Sequence, residues 1–177
     1  MQRLIMLTII GFVLILMDQV TKDMVVQSLE LGQTYPVIPG FFSIASVRNS
    51  GAAFGFGGYD STIFLNAPFM KTILFLILPV AFCGWIAYVF YKTRQGPLYM
   101  SVAYMLIIAG ATGNLIDRFR LGYVIDFLMF YWKKEENHFH VFNIADSCVS
   151  IAAGLLIIDF FVQLRHKKSE TTANDPV

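Results

Sequence analysis

Two aspartates stand in apolar surroundings where a carboxylate has little reason to be. Asp126 lies in "VIDF" between Ile125 and Phe127, with no Lys or Arg within four residues on either side. Asp146 lies in "FNIADS" at the head of the almost unbroken apolar run "CVSIAAGLLIIDFF". Ionisable groups beside hydrocarbon are costly unless paired, which makes them functional candidates. Held close together, two carboxylates cannot both ionise easily, so one keeps a proton. The ionised member can then activate water as general base while the protonated one polarises a peptide carbonyl. That is aspartic-protease chemistry, and it needs neither a metal, a cofactor nor a nucleophilic side chain. Asp146 also has a plainer reading. Asn143 and Asp146 are spaced as an N-cap and an N3 acid, so Asp146 could simply help to start a helix.

Other polar residues gather near the same places. Asp18 and Lys22 stand four apart in "DQVTK", on one helix face. Arg48 and Asn49 precede "SGAAF", and "GNLIDR" supplies Asn114, Asp117 and Arg118. Structural pairing is as good an account as function for Asp18 with Lys22 and for Asp117 with Arg118. Arg48 could snorkel to headgroups. Asp159, deep in the last apolar run, has no obvious partner beyond Arg165 and is given no role. Competing chemistries find less support: there is no HExxH and no GxSxG with a histidine partner. His138 and His140, beside Glu135 and Glu136, read as solvated loop residues rather than metal ligands.

These residues must be positioned by membrane helices. The 177-residue chain is 56% hydrophobic and 14% charged, outside the range of soluble domains. Its net charge of +1 gives no reason to expect a nucleic-acid partner. Four stretches can each cross a core that takes roughly 20 helical residues: about 4–20, 72–91, 98–116 and 144–162. The first lacks a cleavage site and reads as a retained span. Cys83 and Cys148 fall at different depths and read as packing residues, not a disulfide.

An even number of spans puts both termini and the connection 92–97 on one side. The outer segments 23–71 and 117–142 fall on the other, together with every polar cluster above. The first outer segment, with its Pro, Gly, β-branched and aromatic residues, predicts short strands and a glycine-rich turn. Phe41, Phe42, Phe54 and Phe56 are expected to touch lipid or substrate there. Six of the 13 basic residues lie on the terminal side; they are clustered and lack nearby acids, which favours termini in the cytoplasm. The tail, about 167–177, is polar and predicts disorder, leaving a single integral-membrane domain over 1–177. A proton-coupled transporter would need acids near the midplane, where only Asp159 is deep. A pure scaffold would make the acids caps and interhelical pairs.

Five motifs in order, "DQVTK", "RNSGAAFG", "GNLIDR", "VIDF" and "FNIAD", resemble those of bacterial lipoprotein signal peptidase, the signal peptidase II family. The resemblance covers the chain up to its charged tail. It implies an aspartic endopeptidase of the inner membrane that removes the signal peptide from diacylglyceryl-modified prolipoproteins, cutting on the amino side of the lipidated cysteine. It implies a mainly α membrane fold: four transmembrane helices, a small periplasmic β-cradle and a periplasmic loop or helix over an outward-facing site. The catalytic pair falls on Asp126 and Asp146. Asn49, Gly51, Asn114, Arg118, Asn143 and Ala145 match positions that bind substrate or support the pair, and Asp18, Lys22 and Asp117 match structural polar positions, with Arg118 or Lys22 as the partner of Asp117. The resemblance further implies membrane lipid as a partner, globomycin-type cyclic peptides as inhibitors, a monomer, and no cofactor. His140 stands where many members have proline.

Overall fold

The structure, a computed structural model, describes residues 2–51 and 72–173. Phe54, Phe56 and most of the glycine-rich turn lie outside the described residues, as does much of the segment expected over the site. In chain order the elements are α1 (Gln2–Ser28), β1 (Thr34–Ile38), β2 (Phe42–Asn49), α2 (Leu78–Thr93), α3 (Leu98–Leu121), β3 (Val124–Trp132), β4 (Lys134–His138) and α4 (Ile144–Ala173). A π-helical turn, Ile73–Ile77, leads into α2.

Among the described residues, four helical stretches are long and apolar enough to cross a membrane: Gln2–Ser28, Ile73–Thr93, Leu98–Leu121 and Ile144–Arg165. Each begins within two residues of its expected start and runs two to eight residues past its expected end. The extensions carry polar residues, because helical hydrogen bonding propagates cheaply once nucleated. For the same reason α4 continues to Ala173, through most of the tail expected to be disordered.

Helix α3 is the centre of the bundle. Of its most apolar stretch 56% is buried, against 17% or less in the other three, which therefore turn Ile, Leu and Phe outward as lipid-facing helices do. Ala103, Met105, Leu106, Ile107 and Ala109 of α3 pack with Leu7, Ile86, Phe90, Cys148 and Ala152. Cys83 and Cys148 are both free. Gly110 and Gly113 let α3 lie against its neighbours. A Cβ on Gly110 would collide with the Ala145 carbonyl oxygen, and one on Gly113 would sit 2.7 Å from Asp18 Oδ2.

Gly122 ends α3 in the left-handed region (φ 80°), its N–H donating to the Arg118 carbonyl at 3.1 Å. The chain then enters a sheet of order β1-β2-β3-β4 with antiparallel pairs. Two of these strands come from the second outer segment, where no strand was expected. "VIDF" opens β3, buried on both faces from Val124 to Phe127, so its sequence shows an apolar run rather than alternation. The N–H groups of Phe127 and Leu128 both donate to the Phe142 carbonyl. This pins the segment before α4 onto β3.

At the opposite end of the bundle, Arg3 donates to the carbonyls of Gly96 and Pro97 at 2.8 and 2.9 Å. The N-terminus and the connection 92–97 therefore lie together, away from the sheet.

Candidate active site

The carboxylates meet where three helix ends and the sheet converge. Asp126 is paired in register with Val47 on β2, and Val124 with Asn49. This brings Asn49 within reach: its Nδ2 donates to Asp126 Oδ2 at 2.9 Å. Asn143 Nδ2 donates to the other oxygen, Oδ1, at 2.7 Å. Asp126 is 1% exposed. Burial is the largest influence on its carboxyl and, with Asp146 adding to it, outweighs the Asn49 and Asn143 hydrogen bonds and the Lys22 charge, pushing it up to about 6.

Asp146 is half-buried in the first turn of α4. Its N–H donates to Asn143 Oδ1 at 2.8 Å, so Asn143 is the cap the spacing suggested. Asp146 Oδ1 meanwhile accepts from Asn114 Nδ2 at 2.7 Å. Cap geometry and a presented carboxylate therefore coexist in one turn. Asn143, wholly buried, links both acids through one side chain.

Beneath the pair lies a buried ion cluster. Lys22 Nζ is 2.8 Å from Asp18 Oδ2 and 2.9 Å from Asp117 Oδ2, and it donates to Asn114 Oδ1 at 3.1 Å. Asp117 thus pairs with Lys22 across helices rather than with its neighbour Arg118, and its Oδ2 also accepts the Ile125 N–H at 3.1 Å. Asp18 Oδ1 accepts the Ala145 N–H at 2.9 Å. A carboxylate from α1 therefore satisfies a free amide at the start of α4. Ala145, 1% exposed, has its Cβ against the place where Gly113 has none. Gln19, which the sequence reading passed over, completes the cluster by donating to the Gly113 carbonyl and to Asp117 Oδ1 at 3.1 and 3.0 Å. Its place inside "DQVTK" was the signal.

Arg118 Nη2 reaches the Gly51 carbonyl at 3.4 Å, and the Gly51 N–H donates to Asn49 Oδ1 at 3.0 Å. Both ends of the Asn49 amide are thus engaged, one with Asp126 and one with Gly51. Arg48 stacks over Tyr123 at 4.9 Å. His138 and His140 stay at the exposed edge. Asp159 lies apart from all of these and is held by Tyr99 and Gln163, not Arg165.

Fold and site together define a multi-pass membrane protein with a supported carboxylate pair at one end of its bundle. Comparison with known proteins makes the class specific. Residues 10–162 match the family described as Signal peptidase (SPase) II. The lipoprotein signal peptidase of Geobacter metallireducens is 40% identical over 92% of this chain and 94% of its own length. That of Geobacter sulfurreducens is 42% identical over 86% and 89%. A bacterial membrane enzyme solved by the in meso method at 2.3 Å resolution superposes with TM-score 0.75 at 32% identity, covering 97% of this chain and 94% of that one. A second, at 1.9 Å, gives 0.71 at 35% identity over 88% and 92%. The chain belongs to the signal peptidase II family of peptidases.

Proposed function

We propose that Asp126 and Asp146 are the catalytic pair of a multi-pass aspartic endopeptidase in the bacterial inner membrane. As a family member the chain removes signal peptides from prolipoproteins. The finer reading is that those substrates carry a diacylglyceryl-modified cysteine and that cleavage falls on its amino side. The whole chain acts as one monomeric integral-membrane unit, with both termini cytoplasmic and the sheet end facing outward. Cyclic peptides of the globomycin type would compete for the pair.

The observation that carries this reading is the meeting of two carboxylates from β3 and α4, each held by asparagine amides, at one end of an apolar bundle. Asp126, the more buried and shifted upward, is the member assigned the acid role and carries the shared proton in the active form of the pair. Asp146, at the positive end of α4, is the ionised base. It takes a proton from a water, whose oxygen attacks the scissile carbonyl carbon, while Asp126 gives its proton to the carbonyl oxygen. The resulting diol collapses as the amide nitrogen receives the proton held by Asp146 and the C–N bond breaks. Return of a diol hydroxyl proton to Asp126 restores the pair. Arg118 and the Gly51 backbone stand beside the amide supports, placed to hold the substrate chain.

The test is processing of a diacylglyceryl-modified prolipoprotein by purified Asp126→Asn and Asp146→Asn variants, with melting curves on the same samples. Loss of processing with an intact melt is expected. Full processing by either variant overturns the assignment.

A further inference from the structure

The geometry points to Lys22 as a positioning residue of the active site, acting through the side-chain amide of Asn114 and not only as the counter-ion of a buried salt bridge. The inference rests on the catalytic pair proposed above.

A lysine ammonium carries three N–H donors and no acceptor. Around Lys22 Nζ all three are used. Two go to Asp18 Oδ2 and Asp117 Oδ2, and the third goes to Asn114 Oδ1. The ion pairs alone would hold α1 against α3. The third bond is aimed at the site.

An asparagine amide has two ends of nearly equal size, and which end faces Asp146 decides whether that carboxylate meets a donor or an acceptor. Lys22 can only donate, so the end of Asn114 that faces it must be the oxygen. The Asn143 Nδ2 group, 3.1 Å from the same oxygen, imposes the same choice. The NH2 end is thereby turned to Asp146 Oδ1 at 2.7 Å. An unbroken chain thus runs from Lys22 through Asn114 to Asp146, and a branch runs from Asn114 through Asn143 to Asp126 Oδ1. Without Lys22 the amide loses one of the two donors that fix it. In the flipped state its oxygen would face the carboxylate expected to act as base.

The charged groups around the pair come from every packed element. Helix α1 supplies Asp18 and Lys22, and α3 supplies Asp117 and Arg118. Strand β3 and helix α4 supply Asp126 and Asp146, while β2 presents only the Asn49 amide to Asp126. Among the described residues Lys22 is therefore one of two cations among four carboxylates, and its removal disfavours the ionised forms.

The experiment is a double-mutant cycle on the full chain in lipid nanodiscs, joining Lys22→Met and Asn114→Ala, with kcat, KM, a pH profile and a melting temperature for each. Lys22→Met leaves two buried acids without a counter-ion and endangers folding. A version with Asp18→Asn and Asp117→Asn added, read by kcat and KM alone because it removes more negative than positive charge, takes its place with and without Asn114→Ala if Lys22→Met does not fold. The expected results are a kcat about tenfold to a hundredfold lower with KM nearly unchanged, as for lost orienting partners elsewhere. The pH profile of Lys22→Met should move to higher pH, and in the Asn114→Ala background Lys22→Met should lower kcat no further. Effects that multiply, or an unmoved pH profile in folded Lys22→Met, overturn the inference and leave Lys22 a purely structural ion. Processing by Asp126→Asn or Asp146→Asn would instead overturn the pair itself.

Discussion

Both ends of this bundle bury carboxylates, and the contrast between them separates a site from a satisfied polar group. At the terminal end Asp159, 7% exposed, accepts from Tyr99 Oη at 2.5 Å and from Gln163 Nε2, one turn along its own helix, at 2.6 Å. Two helices contribute, the described partners are neutral, and Asp126 and Asp146 do not reach it. At the sheet end Asp18, Asp117, Asp126 and Asp146 converge with Lys22 and Arg118 from three helices and a strand. Burial alone therefore says little. The number of elements brought to one point, each with a polar side chain that local structure does not need, marks the functional end.

The sharpest way to break this comparison is to make the same substitution at both ends. Asp126→Asn or Asp146→Asn should lower prolipoprotein processing by about a hundredfold to ten-thousandfold, the range general acid–base groups supply. Asp159→Asn should leave it within about threefold. A processing loss at Asp159 as large as at Asp126 would erase the distinction. Proton-driven flux in liposomes that depended on Asp159 would revive the transporter reading.

Next in size is the packing that brings the sheet-end helices together. Gly113→Ala places a methyl against Asp18 Oδ2 and the Ala145 Cβ, and Gly110→Ala drives one into the Ala145 carbonyl. Overpacking of this kind costs about 1–3 kcal/mol. Because Asp18 caps the Ala145 amide, processing should fall further than the melting temperature implies. Gly84→Ala, where nothing lies within 4 Å of the added methyl, should change neither. If Gly113→Ala processed normally at an unchanged melting temperature, close approach of α3 to α1 and α4 would not be what assembles the site.

A smaller effect, with a defined sign, comes from Asn49→Ala. The Asn49 amide favours the ionised form of Asp126 against the burial that raises it to about 6. Removing the amide raises that value further, so the protonated form persists to higher pH. With Asp126 as the acid, the alkaline limb of kcat/KM moves upward while the maximum rate falls about tenfold. A downward move would assign the proton at rest to the other carboxylate.

Much of this was legible in the sequence because lipid makes polar residues conspicuous. The four spans followed from length and apolarity, and every residue of the ion cluster except Gln19 stood out against its run. The strand carrying Asp126 was hidden, since "VIDF" is buried on both faces and loses the alternation that marks a strand. The pairings were hidden too. Lys22 bonds Asn114 at a separation of 92 residues, and Asn49 bonds Asp126 at 77. The local partners that the sequence offered lost: Arg118 gave way to Lys22 across helices at Asp117, and Arg165 to Tyr99 across helices and Gln163 one turn along the same helix at Asp159. In a bundle, the side chain that faces a buried charge is set by helix packing as well as by nearness along the chain. Ala145 was readable only as part of a motif; its smallness makes sense once Gly113 and Asp18 are seen against it.

The smallest expected effect lies back at the terminal end and completes the comparison. Tyr99→Phe removes one of the donors to Asp159 and leaves the ring in place. A hydrogen bond to a charged or buried acceptor is worth about 1–3 kcal/mol, so the melting temperature should fall measurably. A cavity of about 260 Å³ lined by Thr93, Met100, Tyr104, Asp159 and Gln163 lies beside it, and water admitted there would offset part of the loss. Processing and its pH profile should be unmoved, because no hydrogen-bonded chain of the kind joining Lys22 to Asp146 links Tyr99 to the sheet end among the described residues. Thermal melting and processing on one preparation decide it. A shifted pH profile in Tyr99→Phe would mean that the two ends are coupled through α3, and that burial without convergence can still reach the chemistry.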